Sequence, residues 1–107
     1  MFTRVVEITS KAGKAKELAN TINEKAVPIL KKQRGFVDEM VFVSDNEPTR
    51  ILGVSLWNTK EDAVRYHESQ YAQVHELIRD LVATDPVIRT FEVHSSSTHG
   101  IVAGKAA

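Results

Sequence analysis

The chain is predicted to fold as a single α+β domain of βαββαβ order that pairs with a copy of itself. Three observations carry this expectation. Two stretches with helical apolar spacing alternate with four β-rich runs, and the middle two runs are joined by the short turn Asp45-Asn46-Glu47-Pro48. In those two runs, apolar side chains occupy both parities. A length of 107 residues suits one domain and poorly suits two.

Phe2 to Thr9 is rich in β-branched residues and is broken by Ser10 to Gly13, which predicts a first strand. From about Lys14, apolar residues fall at Ala15, Leu18, Ala19, Ile22, Ala26, Ile29 and Leu30, one stripe of a helix. Lys31, Lys32 and Arg34 supply positive charge at its end, and Gly35 can take the left-handed conformation that stops it. Pro28 removes a backbone donor and should bend the helix or end its regular part early. Phe36 to Ser44 and Thr49 to Trp57 then read as a hairpin. Thr59-Lys60-Glu61-Asp62 has capping-box spacing and opens a second helical region reaching about Ala83, with a kink or break near Ser69 where the apolar stripe shifts. Thr84-Asp85-Pro86 ends it, and Val87 to His94 is the fourth strand.

Right-handed crossovers turn this order into a ferredoxin-like, four-stranded antiparallel sheet with two helical regions on one face. Residues 1–94 form the domain, and 95–107 are expected to be a flexible tail or an arm laid on a neighbour.

Two helical regions cover only one face of such a sheet. In the second strand Phe36, Met40 and Phe42 are expected to point one way and Val37, Val41 and Val43 the other. In the third, Leu52, Val54 and Leu56 oppose Ile51 and Trp57. Leaving several such side chains in water forfeits about 1.5–3 kcal/mol each. The expectation is a homodimer through the open sheet face, although high β-propensity alone would also place apolar residues there.

Fourteen basic and fourteen acidic residues leave no net charge, so neither nucleic acid nor an anionic membrane is an expected partner. No cysteine is present, which excludes disulfides, thiolate catalysis and iron–sulfur clusters. No apolar run approaches the roughly 20 residues of a membrane span, and the start goes directly into strand-like sequence, so a cytoplasmic location is expected.

Gly-x-Ser-x-Gly and phosphate-binding glycine loops are absent. His67, His75, His94 and His99 form no obvious metal set. The suggestive group is Trp57, Tyr66, Tyr71 and His75, in which Tyr71, His75, Ile78 and Val82 share a helical face. His75 would stand at the margin of the buried stripe, able to move a proton near neutral pH or simply to bond a carbonyl. Arg4, Arg50 and Asp38 are either inward polar groups or exposed strand residues.

Gly35-Phe36-Val37, the segment Ile51-Leu52-Gly53-Val54-Ser55-Leu56-Trp57 and the run from Trp57 through Ala63 to Tyr66-His67 resemble the antibiotic biosynthesis monooxygenase domain family. So do Pro28 ahead of the Gly-Phe pair and the closing stretch Pro86 to Val93. The resemblance covers residues 1–94 and implies a dimeric α+β barrel with a ligand cavity between helices and sheet. Some members oxidise aromatic polyketide-type phenols to quinones with dioxygen and no metal, flavin or nicotinamide. On that model Tyr66 and His75 are the candidate catalytic residues, Trp57 and Tyr71 the candidate substrate-binding residues, no metal is required, and the partner is a small aromatic molecule. A haem-degrading branch of the superfamily uses an Asn on the first strand and a Trp and a His on the second long helix. Here Val5 or Val6, Tyr66 and His75 occupy those places, so haem is the secondary cofactor expectation. A non-catalytic dimer binding a small apolar molecule is the competing function.

Overall fold

The computed structural model describes residues 1–101. In chain order these form β1 (Phe2–Thr9), α1 (Ala15–Thr21), a π-helical segment (Ile22–Ala26), α2 (Val27–Leu30), β2 (Phe36–Val43) and β3 (Arg50–Trp57). Then follow α3 (Lys60–Ser69), α4 (Tyr71–Ile78), a 3₁₀ turn (Arg79–Leu81) and β4 (Val87–Glu92). The strands lie in the order β2-β3-β1-β4, and every neighbouring pair is antiparallel. This is the expected ferredoxin-like α+β fold. Leu18, Ile22, Ala26 and Leu30 from the first helical region meet Ala63, Tyr66, Val74 and Ile78 from the second, over Phe2, Ile8, Ile51 and Trp57 of the sheet. No helix among the described residues is long and apolar enough to cross a membrane.

The first helical region answers Pro28 in a specific way. With no N–H on Pro28, the carbonyl four residues earlier has no helical donor, and the ring crowds it. The turn before the proline widens, and the Val27 amide donates to the carbonyl of Ile22, five residues back. Such π-turns are rare and tend to be kept where a site needs them. This one places Ile22 and Ala26, both buried, over the middle of the sheet.

Gly35 ends the region at φ +79°, and any side chain there would collide with the Asp62 carboxylate. Thr59 caps α3 by accepting from the Asp62 amide at 3.1 Å, as its spacing predicted. The Asp62 carboxylate does not complete a reciprocal box; it accepts from Arg65 at 2.8 Å instead. The second region breaks at Gln70 (φ −127°), giving two helices on either side of the anticipated kink.

β2 differs from the simple alternation expected of it. Its pairing with β3 shifts between Phe36 and Asp38, so Val37 is a bulged extra residue. Phe36 therefore faces the helices, edge-on to Trp57 at 5.6 Å, while Met40 and Phe42 face away. The expected grouping of Phe36 with Met40 and Phe42 is thus corrected, because one added residue reverses the facing of everything beyond it. Past β4, the Ser96 and Ile101 backbones bond each other at 2.7 and 2.9 Å and close a small turn. The remainder of the expected tail, 102–107, lies outside the described residues.

Candidate functional site

The strand register places four polar side chains in one row across the helix-facing side of the sheet. Glu39 pairs with Ser55, Ser55 with Arg4, and Arg4 with Thr90. The rows on either side contain Phe2 with Trp57 and Val6 with Gly53. A polar row inside an apolar layer requires compensation for lost hydration.

Arg4 is the centre of that row. It is only 4% exposed, and among the described residues no carboxylate lies within 4.0 Å of its guanidinium. Aromatic faces take the place of an anion: the guanidinium carbon lies 5.3 Å from the Tyr66 ring centre and 5.0 Å from that of Tyr71. Nη1 donates to His67 Nδ1 at 2.9 Å, and Nη2 is buried without a hydrogen-bond partner. Desolvation pushes the Arg4 pKa down, opposed by the two tyrosines and Glu39.

The aromatic residues form a continuous wall behind it. Trp57, fully buried, stacks on Tyr66 at 5.1 Å and donates from Nε1 to Ser55 Oγ at 2.9 Å. His67 stacks on Tyr71 at 5.1 Å, and Tyr71 meets His75 at 6.2 Å. Burial raises the Tyr66 pKa well above the ordinary phenol value, so the hydroxyl keeps its proton at neutral pH. Tyr71 is raised for the same reason. Desolvation, then the Arg4 charge, lowers His67, leaving a neutral imidazole. Since its Nδ1 accepts from Arg4, the remaining proton sits on Nε2, which is a donor. Desolvation, partly offset by Arg4 and reinforced by Asp38, pushes Glu39 up to about 7.

Two spaces meet at Arg4. An inner cavity of about 50 Å³ lies under the π-helical segment and is lined by Arg4, Glu39, Ser55, Ile22, Ala26 and Tyr66, among others. At roughly 10–15 Å³ per water it holds about three to five waters. A groove of about 360 Å³ runs between α3 and the β1–β4 side of the sheet. Phe2, Ala63, Val64 and Ile88 give it apolar walls, and Arg4, His67, Lys60 and Thr90 supply polar points. Its volume lies within the ~300–1,000 Å³ usual for small-ligand sites.

Of the four residues singled out by sequence, Tyr66 lines the inner cavity. Trp57 lies behind Tyr66, and Tyr71 packs on the Arg4 guanidinium. His75 is half-buried against Tyr71 and opens on a separate hollow of about 130 Å³ with Arg79, Val82 and Asp85. That hollow is smaller than small-ligand pockets generally, so the residues around His75 do not fit a haem. Among the described residues no cluster of three metal-ligating side chains occurs. Of the three strand residues left open, Arg4 faces inward, whereas Arg50 faces Glu7 and Glu47 at 3.9 and 3.5 Å and Asp38 pairs with the outward Leu56. Sequence reasoning missed Glu39, Ser55 and the role of His67. The i, i+4 spacing of His67 and Tyr71 was the available signal for the last of these.

A family model for antibiotic biosynthesis monooxygenase matches residues 1–77. No curated protein matches the chain in sequence. Among solved structures, an antibiotic biosynthesis monooxygenase described as putative, from Bordetella bronchiseptica, superposes with a TM-score of 0.77 at 18% identity, covering 86% of this chain and 95% of that one. SnoaB, a cofactor-independent oxygenase from Streptomyces nogalater, gives 0.73 at 13% identity over 90% of this chain and 95% of its own. A Nitrosomonas europaea protein of unknown function, NE2512, gives 0.75 at 15% identity over 90% and 91%. With nearly three quarters of its length matched by the family model and the same fold in these neighbours, the chain belongs to the antibiotic biosynthesis monooxygenase family.

Proposed function

We propose that the protein is a cofactor-independent monooxygenase that oxidises a small aromatic, quinol- or anthrone-type substrate with dioxygen. The observation that carries this reading is Arg4, a buried cation with no carboxylate partner among the described residues, packed against two aromatic rings at the end of a ring-sized groove. Burying a charge without its counter-ion is costly for stability, and such groups mark sites where a ligand supplies the missing charge. The substrate ring lies in the groove against Phe2, Ala63 and Ile88, with its ionised oxygen toward Arg4. Arg4 stabilises the phenolate or enolate, and His67 offers a neutral N–H beside it. Tyr66, protonated, is a wall and a donor rather than a base. His75 acts on the site through Tyr71. The electron-rich anion is then the reductant of dioxygen: in an anthrone a ring CH₂ becomes C=O, in a hydroquinone a ring C–H becomes C–OH as the ring goes to the quinone, and in both the second oxygen atom leaves as water.

The family and the SnoaB likeness support the reaction class. A homodimer through the outer sheet face completes the proposal, supported by Met40, Phe42, Val87 and Phe91 exposed there at 37–51%. The exposure of His67 and Thr90 at the groove mouth favours the competing reading, a dimer that binds an aromatic molecule without oxidising it. Oxygen uptake with anthrone and a panel of hydroquinones, without added metal or flavin, separates the two. Consumption that falls about 10–150-fold in Arg4→Gln, the value of a charge-assisted hydrogen bond, is the expected result. Binding with no uptake above buffer leaves the binder.

A further inference from the structure

We propose that Glu39 is the proton acceptor of this site, reached from the substrate through waters held in the cavity over Arg4 and Ser55. The inference rests on the oxygenase reading and adds to it the group that reading lacks. Tyr66 keeps its proton, and the acceptor nitrogen of His67 is occupied by Arg4. Glu68, the one acid among the described residues that lines the substrate groove, stands at its exposed rim.

The geometry of Glu39 is that of a connecting residue. It shares a row with Arg4 two strands away, yet the two form no ion pair within 4.0 Å, so its carboxylate remains available. Gly53 on the adjacent strand leaves room for it: a Cβ there would stand 3.3 Å from Glu39 Oε1. Glu39 lines the inner cavity and also an outer groove of about 580 Å³, between the π-helical segment and β2, that contains Asn20, Asn23, Lys31 and Asp38. Arg4 lines the inner cavity and the substrate groove. The inner cavity therefore runs from the substrate's anchoring cation to a carboxylate that also faces solvent. The charged and titratable groups around Glu39 are Arg4 from β1, Tyr66 from α3, Asp38 beside it on β2, and Lys31 at the end of α2.

The reaction needs one such group and no more. Turning CH₂ into C=O with dioxygen breaks two C–H bonds, whose two electron pairs reduce the oxygen. One oxygen atom becomes the carbonyl, and the other takes both protons as water. An acceptor that takes a proton and returns it, twice, leaves no net uptake or release.

The test uses the full chain and 3-nitrophenol, coloured only as its anion, in weak buffer above the Glu39 midpoint near 7 and below the phenol's own, higher pKa. The wild type is expected to bind the coloured anion without acidifying the solution, because Glu39 keeps the proton. Glu39→Gln is expected to release that proton to solution, Glu39→Asp to restore its retention, and Glu68→Gln to behave as wild type. Retention unchanged in Glu39→Gln, or lost in Glu68→Gln, overturns the assignment to Glu39 while the oxygenase reading stands. Failure of the wild type to bind the phenol overturns both. A ¹³C-carboxyl NMR titration of the unliganded chain gives an independent check. A Glu39 midpoint near 7 supports the proposal, and one in the ordinary glutamate range overturns it alone.

Discussion

One row under the helices and the bare face behind the sheet invert the usual assignment of polarity to burial. Under the helices, Glu39, Ser55, Arg4 and Thr90 cross the sheet in one row, and Arg4 and Ser55 are almost wholly buried. On the opposite face, Val5, Val54, Leu52, Met40 and Phe42 meet across the strands with no helix over them. Phe42 and Phe91 on that face are about half exposed, at 48% and 51%. A protein shaped by stability alone would exchange these chemistries. On the proposed reading, the difference teaches that each face is specified by what it is to contact: an apolar surface outside, and a charged or ionisable molecule inside.

The largest effect should come from charging the outer face. If two copies meet there, Val54→Glu buries a pair of unpaired carboxylates at several kcal/mol each. Sedimentation should then show monomer where the wild type shows dimer, and a wild type that is a stable, compact monomer at micromolar concentration breaks the comparison. Next, Trp57→Ala removes the fully buried platform behind Tyr66 and should cost about 3–5 kcal/mol in urea unfolding. A loss under about 1 kcal/mol would mean that the inner layer is not the core.

The third effect is a pH dependence. The Glu39 pKa is raised from 4.5 to about 7 in the folded chain, so between those values the folded state holds a proton that the unfolded state has lost. This contribution makes stability fall as pH rises through that window, by as much as about 3 kcal/mol at about 1.4 kcal/mol per unit. Glu39→Gln should flatten the profile there, and an unchanged slope would place the titration elsewhere. Smallest, Thr59→Ala removes the α3 cap and should cost about 1 kcal/mol, on neither face. It calibrates the others, since it should leave both ligand binding and association untouched.

Much of the fold was legible because it rests on local signals. Gly35, the Asp45–Pro48 turn, Thr59 and the change of stripe near Ser69 each act within a few residues, and the structure shows the elements meeting at those points. The site was less legible because it is a property of register. Whether Arg4, Ser55 and Glu39 share a row depends on how three strands slide against one another, and no single run of sequence records that. Reading β2 by parity put Phe36 with Met40 and left Glu39 unremarked, since a bulge has no strong signature in a run such as Phe36-Val37-Asp38-Glu39. The aromatic cluster was found as a group because helical spacing reports it. Its centre, a strand arginine, was visible only as a choice between inward and outward.

That bulge works like one spare tooth on a gear. Phe36 must meet Trp57, and Glu39 and Val41 must meet Ser55 and Gly53, yet their spacing along the chain is one residue too long for both in a regular strand. Val37 absorbs the surplus. Removing it alone would leave a regular ladder with every other side chain of β2 on its present side, whereas removing Met40 would turn part of the strand over. β2 therefore has a single position at which its length can change without rewriting the face it presents to the site.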